Sequence, residues 1–152
     1  MRHAIPENLV ASIKIKPMLL HPYLLFKGNA RAALTFYQKA LNLEIGHHQT
    51  YGDSPTQTEP AHNEWLIHGE LLHNGSCFAM LADSPTATKE NNSAIHLSLN
   101  FENEKKAHNA FDNLAEGGKI ILPFEKQFWN ARFGQLTDRF GIQWMVNCNL
   151  KE

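Results

Sequence analysis

The hydrophobic and polar residues of this chain repeat in an order that predicts one strand, one helix and three further strands. The first repeat has an apolar, aromatic run, then apolar residues at helical spacing, then three short strand-like runs. Its predicted elements are the strand Leu19–Phe26, the helix Ala30–Leu41 with Asn29 as N-cap, and the strands Glu44–Tyr51, Glu64–His73 and Cys77–Ala82. Asn74-Gly75 predicts a tight hairpin between the last two strands. These residues predict a βαβββ module.

The same order of elements follows a polar segment, Asp83–Ser93. The predicted elements are the strand Ile95–Phe101, the helix Glu104–Ala115, and the strands Lys119–Phe124, Ala131–Thr137 and Gln143–Val146. Gly117-Gly118 is typical of a helix end, and the turn residues Asp138-Arg139-Phe140-Gly141 join the last two strands. We therefore expect one domain, residues 18–150, made of two modules at about 18–84 and 94–148. Residues 1–17 are expected to be an N-terminal extension.

The two modules also match each other at a constant spacing of 75 residues. The matched pairs are Leu24 and Leu99, Phe26 and Phe101, Phe36 and Phe111, Ala40 and Ala115, and His21 and His96. The apolar pairs fall in order on the first strand and on the following helix of each module. Internal repetition of this kind indicates a duplicated fold.

Strand alternation predicts which side chains of the first strands face away from the helices. Successive side chains of a strand point to opposite faces, so a helix that covers Leu24 and Phe26 leaves Tyr23 on the other face. The residues predicted on the helix-free faces are His21, Tyr23 and Leu25 in the first module and His96, Ser98 and Asn100 in the second. A curved sheet with helices on one side would bring them into a shared hollow, which is a candidate ligand site.

The composition limits the class of partner. Hydrophobic residues make up 43% of the 152 positions and charged residues 19%, which suits one globular core. The formal net charge of −1, without a cluster of Lys or Arg, argues against nucleic acid as a partner. We expect neither a membrane span nor a signal peptide. Cys77 and Cys148 are too few for a disulfide framework and suit a reducing cytoplasm.

Three segments of the chain resemble a known family. They are Tyr23–Tyr37 (YLLFKGNARAALTFY), His68–Leu71 (HGEL) and Trp129–Trp144 (WNARFGQLTDRFGIQW). On these segments the chain is similar to the PhnB-like branch of the glyoxalase/bleomycin resistance/extradiol dioxygenase superfamily, also called vicinal oxygen chelate proteins. The resemblance implies an α+β fold in which two βαβββ modules form a curved, barrel-like mixed sheet. It also implies a homodimer with a small-molecule ligand inside the sheet, where many members of the family chelate a divalent metal.

The resemblance places unusual residues at the family's metal positions. Relatives of the glyoxalase type take ligands from the first and last strands of each module, typically a histidine and a carboxylate. By position, the second module's first strand offers His96, and the first module's offers His21 or, if the loops differ by one residue, Pro22. The last strands offer Met80 and Met145. Methionine is a poor ligand for hard or borderline divalent ions. We therefore expect no tightly bound metal or other cofactor; the alternative is a Zn, Ni or Mn site made of His21, Glu70 and His96.

Seven residues are candidates for the site. His68 and Glu70 lie two apart, hence on one face of their strand, where a carboxylate can orient an imidazole for acid–base chemistry. The catalytic candidates are His96, His68 and Glu70, and the ligand-binding candidates are Tyr23, Trp129, Arg132 and Trp144. An arginine fork can hold a carboxylate or phosphonate, and indole rings supply apolar walls. A hydrogen-bonded structural pair and core tryptophans are the alternative interpretations.

Three functions remain open from the sequence, and one of them is a purely structural or partner-binding module. A small-molecule-binding protein, such as one that sequesters a toxic compound, needs only the shape of its pocket. The alternative is a metal-dependent isomerase, lyase or transferase of the glyoxalase type that uses His96, His21 and Glu70. No Gly-rich turn follows the first strand, as a methyl-donor nucleotide site would need. The sequence leaves open whether the protein is an enzyme, and it does not name the ligand.

Overall fold

The computed structural model describes residues 17–55, 59–88 and 94–151. Its elements are β1 (Tyr23–Phe26), α1 (Ala30–Leu41), β2 (Glu44–Thr50), β3 (Leu66–His73), β4 (Ser76–Asp83), β5 (Leu97–Phe101), α2 (Glu104–Ala115), β6 (Lys119–Lys126), β7 (Ala131–Thr137) and β8 (Gln143–Asn149). A single 3-10 turn, Pro60–His62, lies in the described part of the loop between β2 and β3. The expected N-terminal extension falls outside the described residues except for its last residue.

The described strands form two four-stranded mixed sheets. Their strand orders are β1-β4-β3-β2 and β5-β8-β7-β6. β1 runs parallel to β4, and β5 runs parallel to β8. Tyr23 lies beside Met80 in the first sheet, and Ser98 lies beside Met145 in the second, so the two modules pair their first and fourth strands in the same way. The predicted α+β fold of two βαβββ modules is confirmed. Where one curved mixed sheet was expected, the described strands form two sheets, one in each module.

Strand pairing shifts several of the predicted boundaries. β1 begins at Tyr23 instead of Leu19, and Leu19 and Leu20 are 69% and 95% exposed, so the apolar character of this run does not extend the strand. β6 and β8 continue beyond their predicted ends. Lys126 pairs with Arg132 across the β6–β7 hairpin. The backbone ladder therefore continues where the hydrophobic pattern has stopped.

The two helices begin in different ways. The side chain of Asn103 accepts a hydrogen bond from the backbone N–H of Lys106 and caps α2. The predicted N-cap of α1, Asn29, makes no such bond. Instead the buried carboxylate of Asp83, at the end of β4, accepts from the N–H groups of Gly28 (2.7 Å) and Ala30 (3.0 Å). An acceptor at the end of β4 thus takes the place of a cap from the residue that precedes the helix.

None of the described helices is long and apolar enough to span a membrane.

Each helix covers one face of its own sheet. The predicted alternation is observed on β1, where Phe26 is 5% exposed while Tyr23 and Leu25 are 44% and 55% exposed. On β5, Ser98 and Asn100 are likewise exposed. We call the helix-free face of the sheet β1-β4-β3-β2 the first open face, and that of the sheet β5-β8-β7-β6 the second open face.

The two modules share one core, and a buried carboxylate joins them. Asp138, which is 3% exposed in the turn before β8, accepts through Oδ2 from the hydroxyl of Tyr37 (2.5 Å) and from the indole N–H of Trp144 (2.9 Å). Its Oδ1 accepts from the backbone N–H groups of Phe140 (2.8 Å) and Ile142 (3.0 Å). Because Tyr37 lies on α1 and the other donors lie in the second module, this carboxylate fixes one module on the other.

Replacing Asp138 tests this joint. Asp138→Ala leaves four donors without their acceptor, so we expect the free energy of unfolding to fall by about 3 kcal/mol or more. Tyr37→Phe removes one of the four bonds and should lower it by about 1–2 kcal/mol. Urea unfolding followed by tryptophan fluorescence measures both. Asp112→Asn, which alters an exposed carboxylate on α2, is the control; a loss in Asp138→Ala as small as the control's would contradict the role of the joint.

Candidate functional site

A chain of hydrogen bonds crosses the first open face. The hydroxyl of Tyr23, on β1, lies 2.8 Å from Nδ1 of His68, on β3. On the other side of the same ring, Nε2 of His68 lies 3.1 Å from Oε1 of Glu70. The side chains of His68 and Glu70 are 28% and 32% exposed, so the array is partly shielded but reachable from solvent. We call these three residues the tyrosine–histidine–glutamate array.

Strand β2 supplies a further contact that the sequence did not predict. The backbone N–H of His47 donates to the carboxylate of Glu70, and the rings of His47 and His68 are 6.3 Å apart. A register shift between Ile45 and His48 places His47 there. Sequence alternation alone does not locate a bulge of this kind, which explains why His47 was not among the candidates.

A glycine leaves room for the carboxylate of the array. A Cβ atom on Gly46 would lie 3.2 Å from Oε2 of Glu70 and 3.1 Å from Cγ of Leu72. These contacts are tighter than ordinary van der Waals separations, so a side chain at this position would require Glu70 or Leu72 to shift by a few tenths of an ångström. The absence of a side chain at Gly46 thus leaves the carboxylate room in its observed place.

The protonation states of the array follow from its hydrogen bonds. The hydrogen bond from His68 lowers the pKa of Glu70, and the bond from the His47 backbone lowers it further, so this carboxylate is ionised at neutral pH. Burial raises the pKa of Tyr23, which keeps the phenol protonated. An ionised carboxylate only accepts hydrogen bonds, so Nε2 of His68 holds the hydrogen. In the neutral imidazole Nδ1 is then the acceptor, and the hydroxyl of Tyr23 donates to it.

The second open face contains other predicted residues. His96 directly precedes β5 and is half-buried, and Ser98, two residues later, lies beside Met145. Trp129 lies in the turn between β6 and β7 and is 47% exposed, with its ring 5.8 Å from that of Phe133. His96 and Trp129 thus belong to the second module, and the tyrosine–histidine–glutamate array belongs to the first.

Two predicted ligand-binding residues lie on the helix side of the second sheet instead. Arg132 forms an ion pair with Glu104, the first residue of α2, because alternation along β7 turns it to the face opposite Phe133. Trp144 is 2% exposed and packs against Tyr37, with ring centroids 5.7 Å apart. The indole therefore belongs to the core, and the guanidinium is already bound to a carboxylate. Trp144 thus occupies the core position that the sequence offered as its alternative, and both residues lie away from the open faces, while their predicted ligand-binding roles stay predictions.

The donor set does not fit a tight divalent metal site. Within residues 17–55, 59–88 and 94–151, no three His, Cys, Asp or Glu side chains are grouped as ligands, so His21, Glu70 and His96 are not brought together. Met80 and Met145 occupy the paired positions on the last strands of the modules. Thioether sulfur is a poor match for ions that prefer oxygen or imidazole ligands.

A groove on the helix side has a different character. It lies between α1 and α2, has a volume of about 820 Å³, and is lined by three basic side chains, Arg31, Lys39 and Arg139. The guanidinium of Arg139 lies 4.5 Å from the ring centre of Phe36 and donates to the backbone carbonyl of Glu116. This groove contains none of the residues that the sequence assigned to the site.

Comparison with known proteins places the chain in a family. The family model of the Glyoxalase/Bleomycin resistance protein/Dioxygenase superfamily matches residues 19–146. Protein YjdN of Escherichia coli (strain K12) is 31% identical over 140 residues, which cover 86% of this chain and 95% of that protein.

Two solved structures share the arrangement over most of their length. Protein PA1353 from Pseudomonas aeruginosa is 34% identical, with a TM-score of 0.78 over 89% of this chain and 100% of that one. A PhnB protein from Bacillus cereus, described as a putative 3-demethylubiquinone-9 3-methyltransferase, is 26% identical, with a TM-score of 0.71 over 88% of this chain and 100% of that one. The chain therefore belongs to the glyoxalase/bleomycin resistance protein/dioxygenase superfamily, with a PhnB protein among its structural neighbours.

Proposed function

We propose that this protein is a PhnB-like small-molecule-binding protein whose ligand lies on the first open face, without a tightly bound catalytic metal. The observation that carries the proposal is the tyrosine–histidine–glutamate array. Three polar side chains from two strands are linked by hydrogen bonds of 2.8 and 3.1 Å on a face that no helix covers. A few convergent polar groups next to apolar side chains are typical of ligand sites.

The apolar surroundings of the array support a ligand site. Leu25 is 55% exposed on the same face as Tyr23, and Met80 lies beside Tyr23 on the neighbouring strand. Exposed apolar groups next to a few fixed polar groups allow burial to give affinity and hydrogen bonds to give orientation. Sequestration of a compound needs nothing more than this.

Proton transfer is the second candidate function, favoured by the order of groups in the array. A carboxylate orients the imidazole of His68, which in turn contacts an ionisable hydroxyl, and this order suits general acid–base chemistry. The metal-dependent alternative with His21, Glu70 and His96 has less support, because the described chain does not group these residues. The methyltransferase description of the Bacillus cereus protein is not extended to this chain, whose β1–α1 turn has a single glycine, Gly28.

We further propose that the protein is a homodimer in the cytoplasm. Each chain presents two open faces of similar construction. Large apolar side chains are exposed on β1 and β6 and in the segments next to strands: Leu19, Leu20, Leu25, Ile95, Ile120, Ile121, Phe128 and Trp129. A two-fold-related copy would set its second open face against the first open face of its partner. The dimer would then enclose two ligand sites and bury apolar surface.

The cysteines support the proposed compartment. Free Cys77 and Cys148 suit a reducing environment such as the cytoplasm.

A thermal-shift screen tests the binding function. We expect some small polar aromatic compounds to raise the melting temperature, since a ligand at 100 times its Kd contributes about 2.7 kcal/mol. Protein purified without added metal should hold Zn, Ni or Mn at well below one ion per chain. A broad library without any stabilising compound would contradict the ligand site. Stoichiometric metal that is lost in His96→Ala, but kept in the control His108→Ala, would contradict the metal-free proposal.

Light scattering after size-exclusion chromatography tests the dimer. We expect a mass of about twice the 17.3 kDa of one chain. Leu25→Lys places a charge on the first open face and should yield monomers, because an unpaired charge in an apolar interface is costly. Thr35→Lys, on the exposed side of α1, is the matched control and should remain dimeric. A monomeric wild type, or dimeric Leu25→Lys, would show that the open faces do not cover each other.

An NMR titration of the Glu70 carboxyl carbon tests the electrostatics of the array. The hydrogen bond from His68 lowers the Glu70 pKa, so this interaction stabilises the fold above the ordinary glutamate pKa and is lost as the pH falls through the folded-state value. In His68→Ala we expect the Glu70 pKa to rise towards its ordinary value. His73→Ala, on the exposed end of β3, should leave it unchanged. An unaltered Glu70 titration in His68→Ala would mean that the bond does not form in solution.

A further inference from the structure

We propose that the ligand of the first open face bears a hydrogen-bond donor, an ammonium or a hydroxyl group, attached to an apolar ring or chain, and that acids are disfavoured there. This inference rests on the proposed binding function and specifies its ligand class. It reverses the preference for carboxylates or phosphonates that Arg132 suggested in the sequence.

The direction of the hydrogen bonds is the first step. The Glu70 carboxylate fixes the hydrogen of the His68 ring on Nε2, so the Tyr23 hydroxyl donates its hydrogen to Nδ1 in the neutral state. The phenolic oxygen then has only lone pairs left to offer a ligand. The array as a whole presents acceptors, and an acceptor needs a donor opposite it.

The charge of the face is the second step. Glu70 places an ionised carboxylate on the first open face, whereas the guanidinium of Arg132 lies in the other module, paired with Glu104 on the helix side. The effect of this charge extends to neighbouring groups. Burial raises the pKa of the Cys77 thiol, and the charge of Glu70 raises it further. Burial, then Tyr51, and then the charge of Glu70 raise the pKa of Tyr23. A bound anion would meet the same repulsion, and a cation would be attracted.

The aromatic wall is the third step. Tyr23 is 44% exposed, and its ring is tilted against that of His68 with centroids 5.7 Å apart, so one part of the phenol remains available to a ligand. An ammonium group near such a ring is attracted by its electrons, while Leu25 and Met80 contact the apolar part of the ligand. One ligand with a donor head and an apolar body satisfies all three features.

Three probes with the same ring and different head groups test the inference. They are 2-phenylethylamine, 2-phenylethanol and phenylacetate, titrated into the full chain at a pH of about 8, where the amine is protonated and the acid is ionised. Amide chemical shifts in two-dimensional NMR report both the affinity and the place of binding. We expect the amine to bind most tightly and the acid most weakly, with roughly a tenfold difference in Kd between them. The shifts should lie on β1, β3 and β4.

Variants separate the charge from the hydrogen bond. Glu70→Gln should bring the Kd values of amine and acid to within about twofold of each other. Tyr23→Phe keeps the ring but removes the acceptor, so it should weaken the amine and the alcohol several-fold while the acid changes little. Asp112→Asn removes the carboxylate of a second His–carboxylate pair, His108 and Asp112 on α2, and should leave all three Kd values unchanged.

The outcomes distinguish this inference from the binding function itself. If the acid binds to the first open face as tightly as the amine, or if Glu70→Gln leaves their ratio unchanged, the ligand class is wrong while the binding site stands. If no probe shifts the sheet, and shifts are confined to the basic groove at Arg31, Lys39 and Arg139, both the site and the ligand class are wrong.

Discussion

The carboxylate of Asp138 is buried between the two modules and accepts hydrogen bonds from both of them. A buried charge is costly unless its acceptor positions are filled, and here the hydroxyl of Tyr37, the indole of Trp144 and two backbone N–H groups fill them. Three of the donors lie within six residues of Asp138, and the fourth, the hydroxyl of Tyr37, lies 101 residues away on α1. All four positions are therefore filled only when α1 packs on the turn before β8, and this contact helps to fix one module on the other.

A second buried carboxylate does the same within the first module. Asp83, which is 2% exposed, accepts from Gly28 and Ala30 after β1 and from Leu66 at the start of β3 (3.0 Å). β4 lies between these two strands, so its terminal residue fixes both of its neighbours. The pairing of β1 and β3 with β4 then brings Tyr23 and His68 within hydrogen-bond distance across the intervening strand. The buried carboxylate thus holds together the strands that carry the array.

The two faces of the molecule differ in local charge. The array places acceptors and a carboxylate on the first open face, whereas the groove on the helix side is lined by Arg31, Lys39 and Arg139 together with Glu116, which pairs with Arg139. The groove therefore has a local excess of basic groups in a chain whose net charge is −1. A small ligand would respond to the charges of the face that it approaches and not to the net charge of the whole chain.

The sequence by itself determined the modules, both helices to the residue, and the array's strand partners His68 and Glu70. It did so because those features depend on local periodicity: the 3.6-residue period of the helices, the alternation of strands, and the Asn74-Gly75 turn, whose residues both have positive φ. The repeat also indicated the face of Tyr23. These patterns are physical consequences of side-chain direction and need no long-range information.

Only the tertiary structure decided which predicted side chains meet. Tyr23 and His68 are 45 residues apart and come together because β4 pairs with both their strands. A register shift moved His47 towards Glu70. The indole of Trp144 is buried in the core, where it donates to Asp138 and packs against Tyr37. Arg132 pairs with Glu104, which lies on α2. Each of these outcomes depends on strand register or on long-range partners, and neither is encoded in the period of the local pattern.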